Sequence, residues 1–137
     1  MQTPDGRSVG THQGLMYYTI GQRHGLGIGG PGEAWYVVGK DLERNRLLVA
    51  QGHDHPALFK DRLRGTSASW ISGSVPRARR TYSAKTRYRQ PDAPCTLARA
   101  DSETCEVDFD HPQRAITPGQ SVVLYEGEVC MGGGIIC

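Results

Sequence analysis

The 137-residue sequence has no apolar run that approaches the roughly eighteen residues needed to cross a bilayer as a helix. Its N-terminus lacks the pattern of a secretory signal. The expectation is a soluble, cytoplasmic protein without a membrane partner. The four cysteines, Cys95, Cys105, Cys130 and Cys137, make no C-x-x-C pair, and the histidine spacing completes no zinc site. So few cysteines in a chain of this length do not form a disulfide framework, and reduced thiols fit best. No Cys-His pair or paired-carboxylate arrangement stands out, and internal repeats, low-complexity tracts and long helical patterns are missing too. The chain reads as a binder with no catalytic residues and no metal site of its own.

What is present is ordinary in bulk and uneven in detail. Hydrophobic residues make up 37% and charged residues 22%, which suits a globular domain and is too apolar for a disordered one. The net charge of +2 hides a division. Residues 1–59 balance five basic against five acidic groups. Residues 60–90 hold nine basic groups against Asp61 alone, and residues 91–137 hold eight acids against Arg99 and Arg114. The middle third is therefore a concentrated basic patch.

Pattern along the chain predicts a mainly β protein. Pro4-Asp5-Gly6 is a turn signal between two short strands, and Gly14–Ile20 reads as one short helix that Gly21 ends. Seven of the twelve residues from Gly21 to Gly32 are Gly or Pro, so this stretch is a loop. Ala34–Lys40 and Arg46–Gln51 form a hairpin turned by 41–45. Strands then follow at Leu63–Ile71, Arg79–Tyr88, Cys95–Ala100, Cys105–Phe109, Ser121–Tyr125 and Glu128–Ile135, with Pro, Gly and Asp breaks between them. Short strands at regular spacing give an antiparallel barrel of six strands. The reading is a small β-rich module over residues 1–60 and the barrel over 61–137.

From Thr81 the residues alternate, with Tyr82, Ala84, Thr86 and Tyr88 on one side and Ser83, Lys85, Arg87 and Arg89 on the other. One face is fit for packing. The other lines up three cations, which folding alone does not favour. With Lys60, Arg62, Arg64, Arg77, Arg79 and Arg80 they would give a salt-dependent attraction to nucleic acid. The excess of Arg over Lys suits bidentate phosphate contacts. Tyr82 and Tyr88 either offer stacking faces or fill the core.

Two tempting motifs fail. Gly27, Gly29 and Gly32 match G-x-G-x-x-G, but Pro31 interrupts the motif and a strand, not a helix, follows, so it is no dinucleotide site. Its open amides, with Gln22, Arg23 and His24, either approach a phosphate or another domain or form a tight structural loop. His53-Asp54-His55 lacks a third ligand. Among the thiols, Cys95 lies near Asp92 and Cys105 between Glu103 and Glu106, and acidic neighbours disfavour a thiolate.

Several stretches together resemble one family. They are Gly14-Leu15-Met16-Tyr17-Tyr18-Thr19-Ile20-Gly21-Gln22-Arg23-His24-Gly25-Leu26-Gly27-Ile28-Gly29-Gly30, Trp35-Tyr36-Val37-Val38 and Gln51-Gly52-His53. Further on come Lys85-Thr86-Arg87-Tyr88-Arg89-Gln90, Pro94-Cys95-Thr96, Thr117-Pro118-Gly119-Gln120 and Gly132-Gly133-Gly134-Ile135-Ile136. In this order they resemble the bacterial tRNA 2-thiouridylases, the tRNA-uridine 2-sulfurtransferases, over nearly the whole chain. The resemblance implies the family's central domain followed by a barrel like those of translation factors. It implies an enzyme that adenylates the wobble uridine of glutamine, lysine and glutamate tRNAs with ATP and Mg²⁺. A cysteine persulfide, supplied through a sulfur-carrier protein, then delivers sulfur. The ATP-pyrophosphatase domain and both catalytic cysteines belong to a region preceding this one in the family, so this chain is expected to bind and position tRNA and to bind no cofactor itself. Carried onto this sequence, the tRNA contacts are Arg87, Tyr88 and Gln120, and the pattern adds Arg89, Lys85, Arg79 and Arg80. The loop with Gln22, Arg23, His24 and Gly27 is implied to face the ATPase domain or the tRNA. Two alternatives remain at this point: a stand-alone RNA-binding barrel without a role in sulfur transfer, and a thiol enzyme using Cys95.

Overall fold

The computed structural model describes residues 1–87 and 90–137. The chain divides into two compact units, Met1–Phe59 and Lys60–Cys137.

The first unit is built on a hairpin. Strands β1 (Trp35–Asp41) and β2 (Arg46–Gln51) are rich in β-branched and aliphatic residues, and they pair antiparallel with Tyr36 opposite Ala50 and Val37 opposite Val49. Their turn is set by Asp41, whose Oδ1 accepts from the Arg44 amide at 3.2 Å, and by Asn45 at φ 53°. Val37, Leu47 and Val49 are fully buried. Gln2 lies along the hairpin, bridged to Leu48 and to Ser8. Single bridges thus stand where two short strands were expected around Pro4-Asp5-Gly6. The helix expected over Gly14–Ile20 is also only a three-residue 3-10 turn, Leu15–Tyr17. Gly14 at φ 123° offers no side-chain cap and Tyr18 is already extended, so the apolar run serves as extended chain that buries Tyr18 and Ile20. A second 3-10 turn, Pro56–Leu58, begins where the His55 side chain accepts from the Ala57 amide.

Both ends of the glycine loop are tied to this hairpin. Gly21 donates to the Val37 carbonyl at 2.8 Å and Val37 donates to Gln22 at 2.9 Å. At the far end the Gln51 carboxamide donates to the carbonyls of Pro31 and Glu33. Gly32 is in the left-handed region at φ 101°, and a Cβ there would stand 2.6 Å from that carboxamide nitrogen, so a larger residue would push the Gln51 side chain aside.

The second unit is a closed barrel. Its strands are β3 (Phe59–Trp70), β4 (Thr81–Lys85), β5 (Ala93–Ala100), β6 (Cys105–Arg114), β7 (Ser121–Glu126) and β8 (Val129–Ile136). They run β3-β6-β5-β4-β7-β8 around the barrel. Alternate residues point inward: Cys95 and Leu97 from β5, Cys105, Val107 and Phe109 from β6, Val122 and Leu124 from β7. Closure depends on β8. A Cβ on Gly132 would lie 2.1 Å from the Ser69 carbonyl oxygen, and one on Gly133 would lie 1.8 Å from that of Val122. The triple glycine therefore allows the backbones of β3 and β7 to close on β8 from either side.

Three strands depart most from the sequence reading at their ends. β3 starts at Phe59, ahead of Leu63. β6 continues through Pro112 to Arg114, because its pairing with β5 ends at Phe109 opposite Cys95 and the missing proline amide is not needed on that side. β4 covers only Thr81–Lys85 of the strand expected over Arg79–Tyr88. Arg79 sits in the left-handed region at φ 61°, outside the strand.

Candidate nucleic-acid interface

The alternation along β4 holds through Arg87. Tyr82, Ala84 and Thr86 are buried, and Thr81 and Arg87 are exposed. Tyr82 therefore fills the core, with its hydroxyl donating to the Arg77 carbonyl at 3.0 Å, and it is no stacking platform. Thr86 donates to Gln90 Oε1 at 3.1 Å, and the Gln90 amide donates to the Arg87 carbonyl at 3.3 Å. Arg87 thus stands exposed in a bend at the strand's end. Tyr88 and Arg89 lie outside the described residues.

The antiparallel register that sets Lys85 against Val123 carries Arg87 toward the start of β7, beside the loop from Ala115 to Gln120. That loop holds Arg87. Its Nη2 donates to the Ala115 carbonyl at 3.1 Å, and Thr117 Oγ1 donates to the same oxygen at 2.9 Å. Ala115 is buried with φ 58°, a conformation that costs an L residue about 1–2 kcal/mol and turns its carbonyl toward the guanidinium. Gln120 completes the loop: its amide donates to Thr117 and its carbonyl accepts from Ile136 at 2.7 Å. Nothing in the sequence marks Ala115 as the residue that orients Arg87. A positive φ at alanine has no sequence signal, and only the neighbouring Thr-Pro-Gly-Gln turn hints at a rim loop.

The other cations are dispersed. Lys85 lies over the Tyr125 ring at 5.4 Å. Next to it, Asp92 accepts from Ser83, which holds its carboxyl below the usual range, with Lys85 adding to the effect. Arg62 forms a two-bond ion pair with Asp108, at 2.5 and 3.2 Å. Arg79 and Arg80 are exposed at the opposite end of β4, on the order of 20 Å from Arg87 at strand rise, and their backbones pair with Leu97.

In the first unit, Arg23 and His24 are exposed around a concavity of about 370 Å³ that Gly27 and Trp35 also line. Gln22 has an internal task. Its Oε1 accepts from the Thr19 amide and its Nε2 donates to the His24 carbonyl, which pins the loop.

The thiols offer no nucleophile on β5 or β6. Cys95 is fully buried and desolvation, helped by Asp110, pushes it up to about 11. Burial raises Cys105 as well. Cys130 is half-buried and Cys137 exposed. Among the described residues no three His, Cys, Asp or Glu side chains gather where they could hold a metal ion. The glycine loop runs into β1, not into a helix. No helix among the described residues is long and apolar enough to cross a membrane.

Comparison with known proteins agrees with this layout. A tRNA methyl transferase PRC-barrel domain family matches residues 1–51, and an aminomethyltransferase beta-barrel domain family matches residues 60–136. The chain is 61% identical over 140 residues to the tRNA-specific 2-thiouridylase MnmA of Methylobacillus flagellatus, covering 99% of this chain and 39% of the relative. It is 57% identical over 141 residues to the enzyme of the same name from Thiobacillus denitrificans, covering 100% and 39%. The chain thus spans about two fifths of the length of these relatives. It belongs to the tRNA-specific 2-thiouridylase family and matches the family's central and C-terminal portion.

Proposed function

We propose that this chain grips and positions tRNA for wobble-uridine 2-thiolation carried out by the region of the family that it does not span. The observation that carries this reading is the rim at one end of the barrel. There the loop that holds Arg87 by the Ala115 carbonyl runs on to Gln120, whose backbone bonds Thr117 and Ile136. A guanidinium with one N–H engaged keeps four for a phosphate. Lys85 lies along the same strand, and Tyr88 and Arg89 continue the motif in sequence. Arg79 and Arg80 would add phosphate contacts from the far end of β4. Gln22 would act by shaping the loop that presents Arg23, His24 and Gly27 to the ATPase domain or the tRNA.

ATP, Mg²⁺ and the persulfide cysteines would act in the remaining domain, with a sulfur-carrier protein as its partner. This chain's contribution is binding and orientation. The test is the affinity of the chain for a glutamine, lysine or glutamate tRNA across a salt series, with Arg87→Ala alongside. We expect binding that weakens steeply with salt and a log–log slope about one unit flatter in the variant. No binding at low salt, or an unchanged slope, would overturn the assignment.

A further inference from the structure

The two tryptophans of the chain are used differently. Trp70 packs against the barrel core, and its indole N–H donates to the Asp101 carbonyl at 2.8 Å. Trp35 is half-buried, and its indole N–H has no partner among the described residues. Trp35 pairs with Gln51 across the hairpin, so the two side chains share one face of β1 and β2. It lines two concavities of about 370 Å³ each. One is that of Arg23 and His24, and the other is lined by Thr3, Asp5, Arg7, Gln51 and His55. The second is held in shape by its own bonds. The buried Thr3 hydroxyl accepts from the Arg7 amide at 3.0 Å and donates to the Asp5 carboxylate. Gln2 is bridged to Ser8 and Leu48, which fastens the turn carrying Asp5 and Arg7 to the hairpin. His55 Nδ1 accepts from the Ala57 amide at 3.0 Å, so the neutral ring carries its proton on Nε2 as a donor. The Arg7 guanidinium is exposed and makes no hydrogen bond among the described residues, although its charge acts on Asp5.

We propose that Trp35 is a stacking platform for an unpaired base of the bound RNA, with Asp5 accepting from an N–H of that base and Arg7 meeting its phosphate. A bare phosphate does not suit a wall that holds the Asp5 carboxylate. Nor do charges of both signs suit the centre of a protein interface, which is depleted of them. A nucleotide suits the whole set. Its base has a π-face for the indole and an edge with an N–H for the carboxylate, and its phosphate takes the guanidinium and the His55 N–H. The turn that carries Asp5 and Arg7 is bonded in advance, so little ordering remains to oppose binding. The inference rests on the tRNA-binding reading and adds to it a base contact in the first unit, made without any residue of the barrel. A free nucleotide offers the same chemistry, and the experiment separates the two sources.

The test titrates the whole chain with a single-stranded RNA hexamer of mixed sequence and with an abasic oligomer carrying the same phosphates. Wild type is expected to bind the hexamer with quenching of tryptophan emission, and the abasic oligomer about tenfold more weakly without it. Trp35→Leu should bind the hexamer about tenfold more weakly at every salt concentration, with the log–log slope unchanged. Trp35→Phe keeps a ring, so it should retain most of the affinity and lose the quenching, which distinguishes Trp35 from Trp70. Arg7→Ala should flatten the slope by about one unit. Equal affinity of wild type and Trp35→Leu for the hexamer would overturn the proposal, and so would quenching that persists in Trp35→Phe. If Trp35→Leu does not fold, equal binding of the hexamer and the abasic oligomer by wild type overturns it instead. A nucleoside monophosphate that binds as tightly as the hexamer would assign the site to a free nucleotide and exclude RNA as its occupant. Binding of tRNA that depends on Arg87 but not on Trp35 would sink this inference alone. If wild type binds neither tRNA nor the hexamer, the tRNA-binding reading fails and this inference falls with it.

Discussion

Single residues in this chain are set by what surrounds their polar atoms. The two thiols inside the barrel and the one at the terminus should behave as different chemical species. Iodoacetamide at pH 8 should label Cys137 within minutes and leave Cys95 and Cys105 unmodified until the chain unfolds, as peptide mass mapping would show. Rapid labelling of Cys95 in the folded protein would restore the thiol-enzyme alternative. Asp101 makes the opposite case, a carboxylate held below its usual range. The amides of Glu103 and Thr104 and the Thr104 hydroxyl all donate to it, at 2.8, 2.6 and 3.0 Å, and fold the β5–β6 turn. A depressed carboxylate contributes stability that is complete above its unfolded pKa and is lost as pH falls through its folded one. Asp101→Ala should therefore melt below wild type at pH 7, and the gap should narrow below about pH 4 in thermal melts. A gap that stays constant down to pH 3 would remove the ionised side chain from the turn's energetics.

At the scale of elements, β8 decides whether the barrel closes. Gly133→Ala would place a methyl carbon 1.8 Å from the Val122 carbonyl oxygen, a clash with backbone that no rotamer relieves. We expect a loss of more than about 3 kcal/mol, or no cooperative transition at all, in urea unfolding. Gly127→Ala, in the β7–β8 turn at φ 61° with open space around it, should cost only about 1 kcal/mol. Equal midpoints for the two variants would mean that β8 is not pinned between β3 and β7. The contrast also shows what the sequence could carry. The barrel was legible because period-two runs such as Cys105-Val107-Phe109 and Val122-Leu124 alternate cleanly between turn signals. The inward face of β4 was legible for the same reason, although alternation alone leaves Tyr82 open between a stacking face and the core, where the structure buries it. Strand ends were not, because they follow from long-range pairing. Pro112 reads as a break until the end of the β5 pairing frees it, and Arg79 reads as strand until its φ is known. The short helix is confined to Leu15–Tyr17 because Gly14 gives it no side-chain cap and Tyr18 is already extended, which an apolar run does not reveal. At the rim, Arg87 and Gln120 are distant in sequence and only the β4–β7 register and Ala115 bring their surroundings together.

For the whole molecule the question is how the charge of the basic third acts once folded. Residues 60–90 carry nine cations, but the barrel also holds the acid-rich remainder of the chain, so residues 60–137 sum to only +2. Asp108 takes both guanidinium bonds of Arg62, and Asp92 sits by Lys85. Counterion release counts phosphates neutralised, not cations present, so paired cations should contribute little to the salt slope. Arg62→Ala is thus expected to leave the log–log slope for tRNA within about half a unit of wild type, whereas Arg87→Ala flattens it by about one. Arg79→Ala with Arg80→Ala should flatten it by about two, if one tRNA spans both ends of β4. Sites more than about 10 Å apart without shared partners act additively, so the triple variant should lose about three units. Fluorescence titrations at four or five salt concentrations would measure all four slopes. A triple variant no flatter than Arg87→Ala would confine the tRNA to the rim where Ala115 holds Arg87, and would leave the arginines at the far end of β4 without a phosphate to meet.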